Sequence, residues 1–238
     1  MLNIACALTQ RRMFKPLTLE EGKFLVKLAR KAIEEYLKTG RKIAPPPDTP
    51  EKLLKEKYGV FTTLELYLGP DRTELRGCIG FPQGLDNVVK ALIESAIAAA
   101  TEDPRFEPLR LDELNRIVIE VSVLSPLQEL KVESPKEYLN KIVIGRHGLV
   151  VKRGIFSGLL LPQVPVEYCW DVMTFLNETC AKAFLPYNCW LDELTTIYIF
   201  EAQVFKEVEP NGEVIERDLV REYEERCKGR SSPAYGVQ

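Results

Sequence analysis

At 238 residues the chain is long enough for one large domain or two smaller ones. With 45% hydrophobic and 28% charged residues it has the balance of a globular protein and not of a disordered one. A formal net charge of -3 argues against an overall field built for nucleic acid or a membrane surface.

Residues 1–60 hold 13 Lys/Arg against 7 Asp/Glu, which reads as a solvated helix face. No apolar run approaches the ~18 residues that would span a bilayer. In MLNIACALTQRR the positive charges follow the apolar stretch, the reverse of a secretory signal. Residues 1–14 are therefore expected to be an extension, with the main fold starting near MFKPLTLEEG.

Residues 18–37 are the clearest helix. Phe24, Leu28, Ala32 and Tyr36 recur beside Leu25, Ala29, Ile33 and Leu37; Thr18 and Glu21 make a capping-box pattern, and Gly40 supplies the stop. APPPD is a loop, and Thr49-Pro50 starts a short helix that ends near Tyr58 and Gly59. Residues 60–68 alternate and read as a strand, GPD at 69–71 as a turn, and residues 73–79 as the hairpin partner. Asp86 is expected to cap an alanine-rich helix to about residue 100. After TEDPRFEPL, residues 117–124 read as a strand with Val118, Glu120 and Ser122 on one face.

Ser134, Pro135 and Glu137 place cap, proline and capping-box acid in register for a short helix. Residues 142–144 and 149–152 are expected to be short strands around GRHG, and LLLPQVP a strand ended by its prolines. Residues 167–183 read as one helix and 197–208 as a long strand. PNGE is a turn, 214–227 a weaker charged segment, and GRSSPAYGVQ a loose tail. Hairpins without strict strand–helix alternation favour α+β with mainly antiparallel sheets and flanking helices.

The six cysteines stand at 6, 78, 169, 180, 189 and 227, with no C-x-x-C pair. They are expected to be free thiols in a reducing cytoplasm, an inference that a thermophilic source would weaken. No spacing suits a metal site, and no phosphate loop or known catalytic motif occurs. No cofactor is expected. GRHG at 145–148 has the G-x-x-G spacing of KH-type RNA binders, but lies where a hairpin turn is expected.

The stretch LRGCIGFPQG carries the sharpest signal. In a regular strand Arg76 and Cys78 lie on one face, so the guanidinium would favour a thiolate at Cys78, the candidate nucleophile. The bland alternative is a small buried cysteine. His147 is the only histidine and so the only partner for a Cys/His pair. Asp103 and Arg105 sit in a loop between a buried helix and a strand, either binding a ligand or pairing to fix the loop.

LRGCIGFPQ, DPRFEPL, IEVSVLSP, LLLPQVPVEYCWD and FLNETCAKAFLPYNCW, in that order, resemble the hallmark blocks of the AMMECR family. The resemblance covers residues 15–210 and suits an archaeal- or bacterial-type single-domain member. It implies two unequal lobes with a cleft between them; the shift in composition places the smaller lobe within 125–165, and the charged C-terminal segment at 211–238 lies outside the resemblance. It implies no settled activity, and a pathway shared with Memo-type and radical SAM proteins.

Gly77 and Gly80 would let a backbone or ligand approach the strand, and Arg76 could hold an anion. Three readings follow. The first is a cleft enzyme, or an enzyme's partner, acting on a small anionic substrate through Cys78 and Arg76, with Asp103, Arg105, Gln163 and Glu167 nearby. The second is a protein-binding scaffold that docks through LRGCIG. The third is an RNA binder using Arg146 and the basic N-terminal helix.

Overall fold

The computed structural model describes residues 13–227, apart from Asp71 and Leu85. Residues 1–12 of the extension expected over 1–14 and the tail 229–238 lie outside the described residues, as does the last residue of the 69–71 turn. Phe14 belongs to the folded body: its ring meets Tyr58 edge-on at 5.4 Å, and its N–H donates to Glu201 at 2.7 Å.

Helix α1 (Leu19–Thr39) has the expected capping box at Thr18 and Glu21 and the left-handed Gly40 stop. A short α2 (Glu51–Lys55) leads to strands β1 (Gly59–Gly69) and β2 (Arg72–Phe81). Helix α3 (Val88–Thr101) is capped by Asn87, one residue later than expected, while the Asp86 carboxylate accepts from the Asn87 N–H. A 3-10 turn, Leu111–Arg116, precedes β3 (Ile117–Leu124) and the two-residue β4 (Gln128–Glu129).

The second half follows as α4 (Tyr138–Lys141), β5 (His147–Arg153), β6 (Phe156–Leu160), α5 (Gln163–Glu167), α6 (Val172–Lys182), β7 (Thr196–Glu207), β8 (Val214–Glu216) and α7 (Leu219–Cys227). The fold is α+β, and among the described residues every strand pair is antiparallel. Strand order is β2-β1-β3-β7-β5-β6, with β4 and β8 also pairing with β7.

Three expectations are corrected. Residues 142–144 form no strand, because Gly145 turns the chain with φ 80° against the backbone of Leu219. LLLPQVP is not a strand throughout: β6 stops at Leu160, and α5 begins after Pro162, which is tolerated at a helix start. The helix expected over 167–183 starts only at Val172: Glu167 is the last residue of α5, and the chain turns at Cys169, which has φ 51°.

Helices α1 and α3 cover one face of the sheet. Leu25, Ala29, Ile33, Leu92 and Ala96 pack there with Val60, Leu64, Ile119 and Phe205. Arg30 of α1 is buried and reaches across to Glu207 of β7 and to the carbonyls of Leu114 and Ile117. A second cluster lies beneath α6, around Phe175, Leu176, Leu149 and Ile197. A third joins Leu124, Val150, Leu161 and Phe200.

Four cysteines expected to be free thiols form disulfides. Cys180 closes on Cys189, and Cys169 joins Cys227 across Cα atoms 5.4 Å apart, tying the end of α7 to the α5–α6 break. The pairing was illegible because the partners are brought together only by tertiary packing. The 58-residue Cys169–Cys227 separation puts its chain-entropy contribution at about 4 kcal/mol. Adding a reductant is therefore expected to lower the Tm of the wild type by more than that of the Cys169→Ser/Cys227→Ser variant. Equal shifts in the two proteins would remove this bond as a source of stability.

Candidate functional site

Strand register builds the site. Cys78 of β2 pairs with Thr63 of β1, Thr63 with Glu120 of β3, Glu120 with Lys206 of β7, and Lys206 with Ile215 of β8. Directly opposed residues share a sheet face, so a thiol, a hydroxyl, a carboxylate and an ammonium stand in one row. The row floors a groove of about 940 Å³ on the face away from α1 and α3. Gln163, Val164 and Glu167 of α5 line it from above, with Glu222 and Arg226 of α7, and Arg105 stands at the β2 side. A second hollow of about 530 Å³, by Lys31, Glu35 and Arg41, is lined by exposed charges and has none of these buried polar groups.

The conformation of LRGCIG explains its composition. β1 and β2 pair Leu64 with Gly77 but Glu65 with Leu75, so Arg76 is the extra residue of a β-bulge. The bulge breaks the period of two that put Arg76 beside Cys78. Arg76 leaves the groove: it donates to the Glu107 carbonyl at 2.9 Å, meets Glu113 at 3.4 Å and lies 5.9 Å from the Phe106 ring. Gly77 faces α3, where a Cβ would stand 2.1 Å from the Ala99 carbonyl oxygen. Gly80 lies under Phe61, and a Cβ there would stand 2.3 Å from the ring. Neither glycine lines the groove, and both serve packing.

Cys78 lines the groove, half-buried against Phe61, Leu159 and Val164. Thr63 donates its hydroxyl to the sulfur at 3.4 Å. Burial pushes the thiol pKa up, outweighing the opposite pull of the Thr63 hydroxyl and Arg105. The side chain is thus a neutral thiol at pH 7, against the expectation of a thiolate paired with Arg76.

β2 is an edge strand, and the loop after α3 clasps its edge. The buried Asp103 carboxylate accepts from the Cys78 N–H at 2.8 Å and takes two hydrogen bonds from the Arg105 guanidinium. The Arg105 bonds hold the Asp103 pKa down to about 2. Arg105 is thus fixed at the rim, with Phe106 5.4 Å away between it and Arg76. The bland and the functional readings of this loop meet here: Arg105 pairs with Asp103, and its side chain is still 47% exposed.

Across the floor, Glu120 is 1% exposed. One of its oxygens accepts from Gln163 Nε2 at 2.8 Å, the other from Arg217 at 2.6 Å. Arg217 also donates to Glu222 and stands 3.6 Å from Glu167. Burial works against its charge, but Glu120 and Glu222 raise its pKa further above the ordinary value. Lys206 pairs with Glu65 at 2.6 Å. Burial, seconded by Glu120, lifts the Glu167 pKa to about 7 against the pull of Arg217.

Sequence reasoning thus placed Cys78, Arg105, Gln163 and Glu167 in one groove, with Asp103 behind. It missed Glu120, Arg217, Lys206 and Glu65. Glu120 had a signal, since a carboxylate on the polar face of an otherwise apolar strand needs a buried partner. His147 is no partner for Cys78. It lies in β5, its Nδ1 accepts from the Val143 N–H, and burial lowers its pKa to about 4. Arg146, the residue proposed for RNA, is paired with Glu201 at 2.9 Å. Among the described residues no cluster suits a metal, and no helix is long and apolar enough to cross a membrane.

The AMMECR1 family profile matches residues 26–205, which carry β1–β3, the LRGCIG bulge and α5. The chain belongs to the AMMECR1 family. A protein of Caldivirga maquilingensis is 59% identical over 210 residues, 88% of this chain and 96% of that one. Protein PAE0745 of Pyrobaculum aerophilum is 57% identical over 216 residues, 91% of this chain and all of its own. The crystal structure of uncharacterized protein PH0010 from Pyrococcus horikoshii is similar at a TM-score of 0.81 with 54% identity, covering 84% of this chain and 97% of that one.

Two outcomes are expected. In a Cys6→Ser background under non-reducing conditions, iodoacetamide should modify Cys78 at pH 7 more slowly than a free model thiol, with a midpoint above about 8.5. A faster reaction would reinstate the thiolate. Arg217→Gln, which leaves Glu120 buried with one partner fewer, should destabilise by about 3–5 kcal/mol in urea unfolding. The double change Arg217→Met with Glu120→Leu should cost less.

Proposed function

We propose that this AMMECR1-family chain is an enzyme whose groove, in the cleft between a larger and a smaller lobe, carries out acid–base chemistry on a small substrate with an anionic group. Glu167 is the proton carrier. It is 39% exposed at its side chain, reaches the groove, and has a pKa of about 7, where one group can both accept and release a proton. That single observation carries the reading. Arg105, rigid on Asp103, faces the anionic group, and Arg217 stabilises Glu167 when it ionises.

Cys78 contributes a neutral wall and a weak hydrogen-bond donor in place of a nucleophile. Arg76 positions the Arg105 loop from behind. A scaffold docking through LRGCIG has less to recommend it, since Gly77 is buried and the Arg76 side chain is 17% exposed.

Protonation of Glu167 can be read from stability. Its pKa is raised on folding from 4.5 to about 7, so it weakens the fold progressively between those values, as the unfolded chain ionises first, and by a constant amount above about 7. Glu167→Gln should therefore raise Tm relative to wild type at pH 8 and leave it little changed at pH 4.5. A difference independent of pH would contradict the assigned titration. For activity, a small-metabolite extract is incubated with either protein and followed by mass spectrometry. The reading expects at least one compound consumed by wild type and about 10²–10⁴-fold more slowly by Glu167→Gln. Equal consumption, or none by the wild type, would remove the enzyme.

A further inference from the structure

The groove is lined by six carboxylates and six cations, with Lys182 of α6 among them, but the cations are unevenly shared: Arg72 is taken by Glu74, and Glu207 turns to Arg30. Glu65 of β1, Glu120 of β3 and Glu167 of α5 face Lys206 of β7 and Arg217, which follows β8. The wall made by α7 adds Glu222 and Arg226, one charge of each sign. Lys206 is taken by Glu65, and Arg217 by Glu120 and Glu222, each at 2.6 Å. Glu167 is left with the 3.6 Å approach to Arg217 and is the carboxylate least well matched by a cation.

A second, independent observation points the same way. Gln163 is 4% exposed, and its Nε2 donates to Glu120 at 2.8 Å and to Ser122 at 3.0 Å. A carboxylate can only accept, so the amide cannot be turned round. The Gln163 Oε1 is then a buried acceptor without a donor, a costly state. Gln163 and Glu167 are four residues apart on α5 and share its face. Two acceptors in want of donors therefore stand side by side.

The far side of the groove has the opposite character. Arg105 lines it beside Cys78, on β2. Two strand spacings separate β2 from β3, about 10 Å. Phe61, Leu159 and Val164 supply apolar surface in the same groove. We infer that the groove binds a small linear zwitterion lengthwise, with a primary ammonium donating to Gln163 and Glu167, a short aliphatic middle, and a carboxylate at Arg105. This rests on the groove being the substrate site and adds the cationic end of the ligand.

The probes are 6-aminohexanoate, which carries both ends, and hexanoate and hexylamine, which carry one each. They are titrated by calorimetry into the disulfide-bonded protein at pH 6 and pH 8. 6-Aminohexanoate should bind about 10-fold or more tightly than either other probe, and more tightly at pH 8 than at pH 6, because Glu167 is ionised at the higher pH. Glu167→Gln should reduce it to the level of hexanoate and remove the pH dependence. Arg105→Gln should reduce it to the level of hexylamine, and Glu167→Asp should partly restore the ammonium preference.

Equal binding of hexanoate and 6-aminohexanoate, no binding of any probe, or a ranking untouched by both substitutions would overturn the inference. If an extract compound is still turned over in a Glu167-dependent way while this ranking is absent, the acid–base groove stands and only the ammonium is lost.

Discussion

Strand β7 is hydrogen-bonded along residues 196–201 to β5 and beyond Glu201 to β3, with β8 joining at its end. It cannot shift against one partner without breaking its register with the other. A slip by one residue would also turn every side chain to the opposite face. Phe205 would then leave the core under α1, and Lys206 would enter it. This double pairing fixes Lys206 opposite Glu120, and through Thr63 it fixes Cys78, so the floor of the groove follows from backbone geometry.

The charges on that floor are held at a cost that the rest of the structure meets. A carboxylate as buried as Glu120 is tolerated only with its lone pairs occupied, and Gln163 and Arg217 occupy them from α5 and from the segment before α7. Those two elements are in turn joined by the Cys169–Cys227 bond and by the Tyr223 hydroxyl on the Trp170 carbonyl. The same arrangement bears on protonation. Burial lifts the Glu167 pKa to about 7, and Arg217, shared among three carboxylates, pulls it back only in part.

Much of the frame was legible in the sequence because its signals are local. The Thr18 box, the Gly40 stop, the alternation in β1 and the apolar faces of β3 each depend on residues a few positions apart. The groove residues Gln163 and Glu167 came with the family resemblance, and their pairing with Arg105 and Cys78 did not depend on an exact helix boundary. What failed was non-local or broke a period. The bulge at Arg76 is set by pairing with β1, so period two misled there. The Cys169–Cys227 bond and Arg217 depend on a chain end returning from more than 40 residues away. The turn at Cys169 delays to Val172 a helix that was expected to start at Glu167.

The close approach of α3 to β2 also bears on how relatives are to be read. With the Ala99 carbonyl against Gly77 and Phe61 over Gly80, a helix and a ring demand the two glycines of the LRGCIG string. Packing thus accounts for both glycines whether or not a ligand ever enters the groove. The proposed groove rests instead on Glu120, Gln163, Glu167 and Arg217, and the last of these lies beyond the residues that the family profile matches.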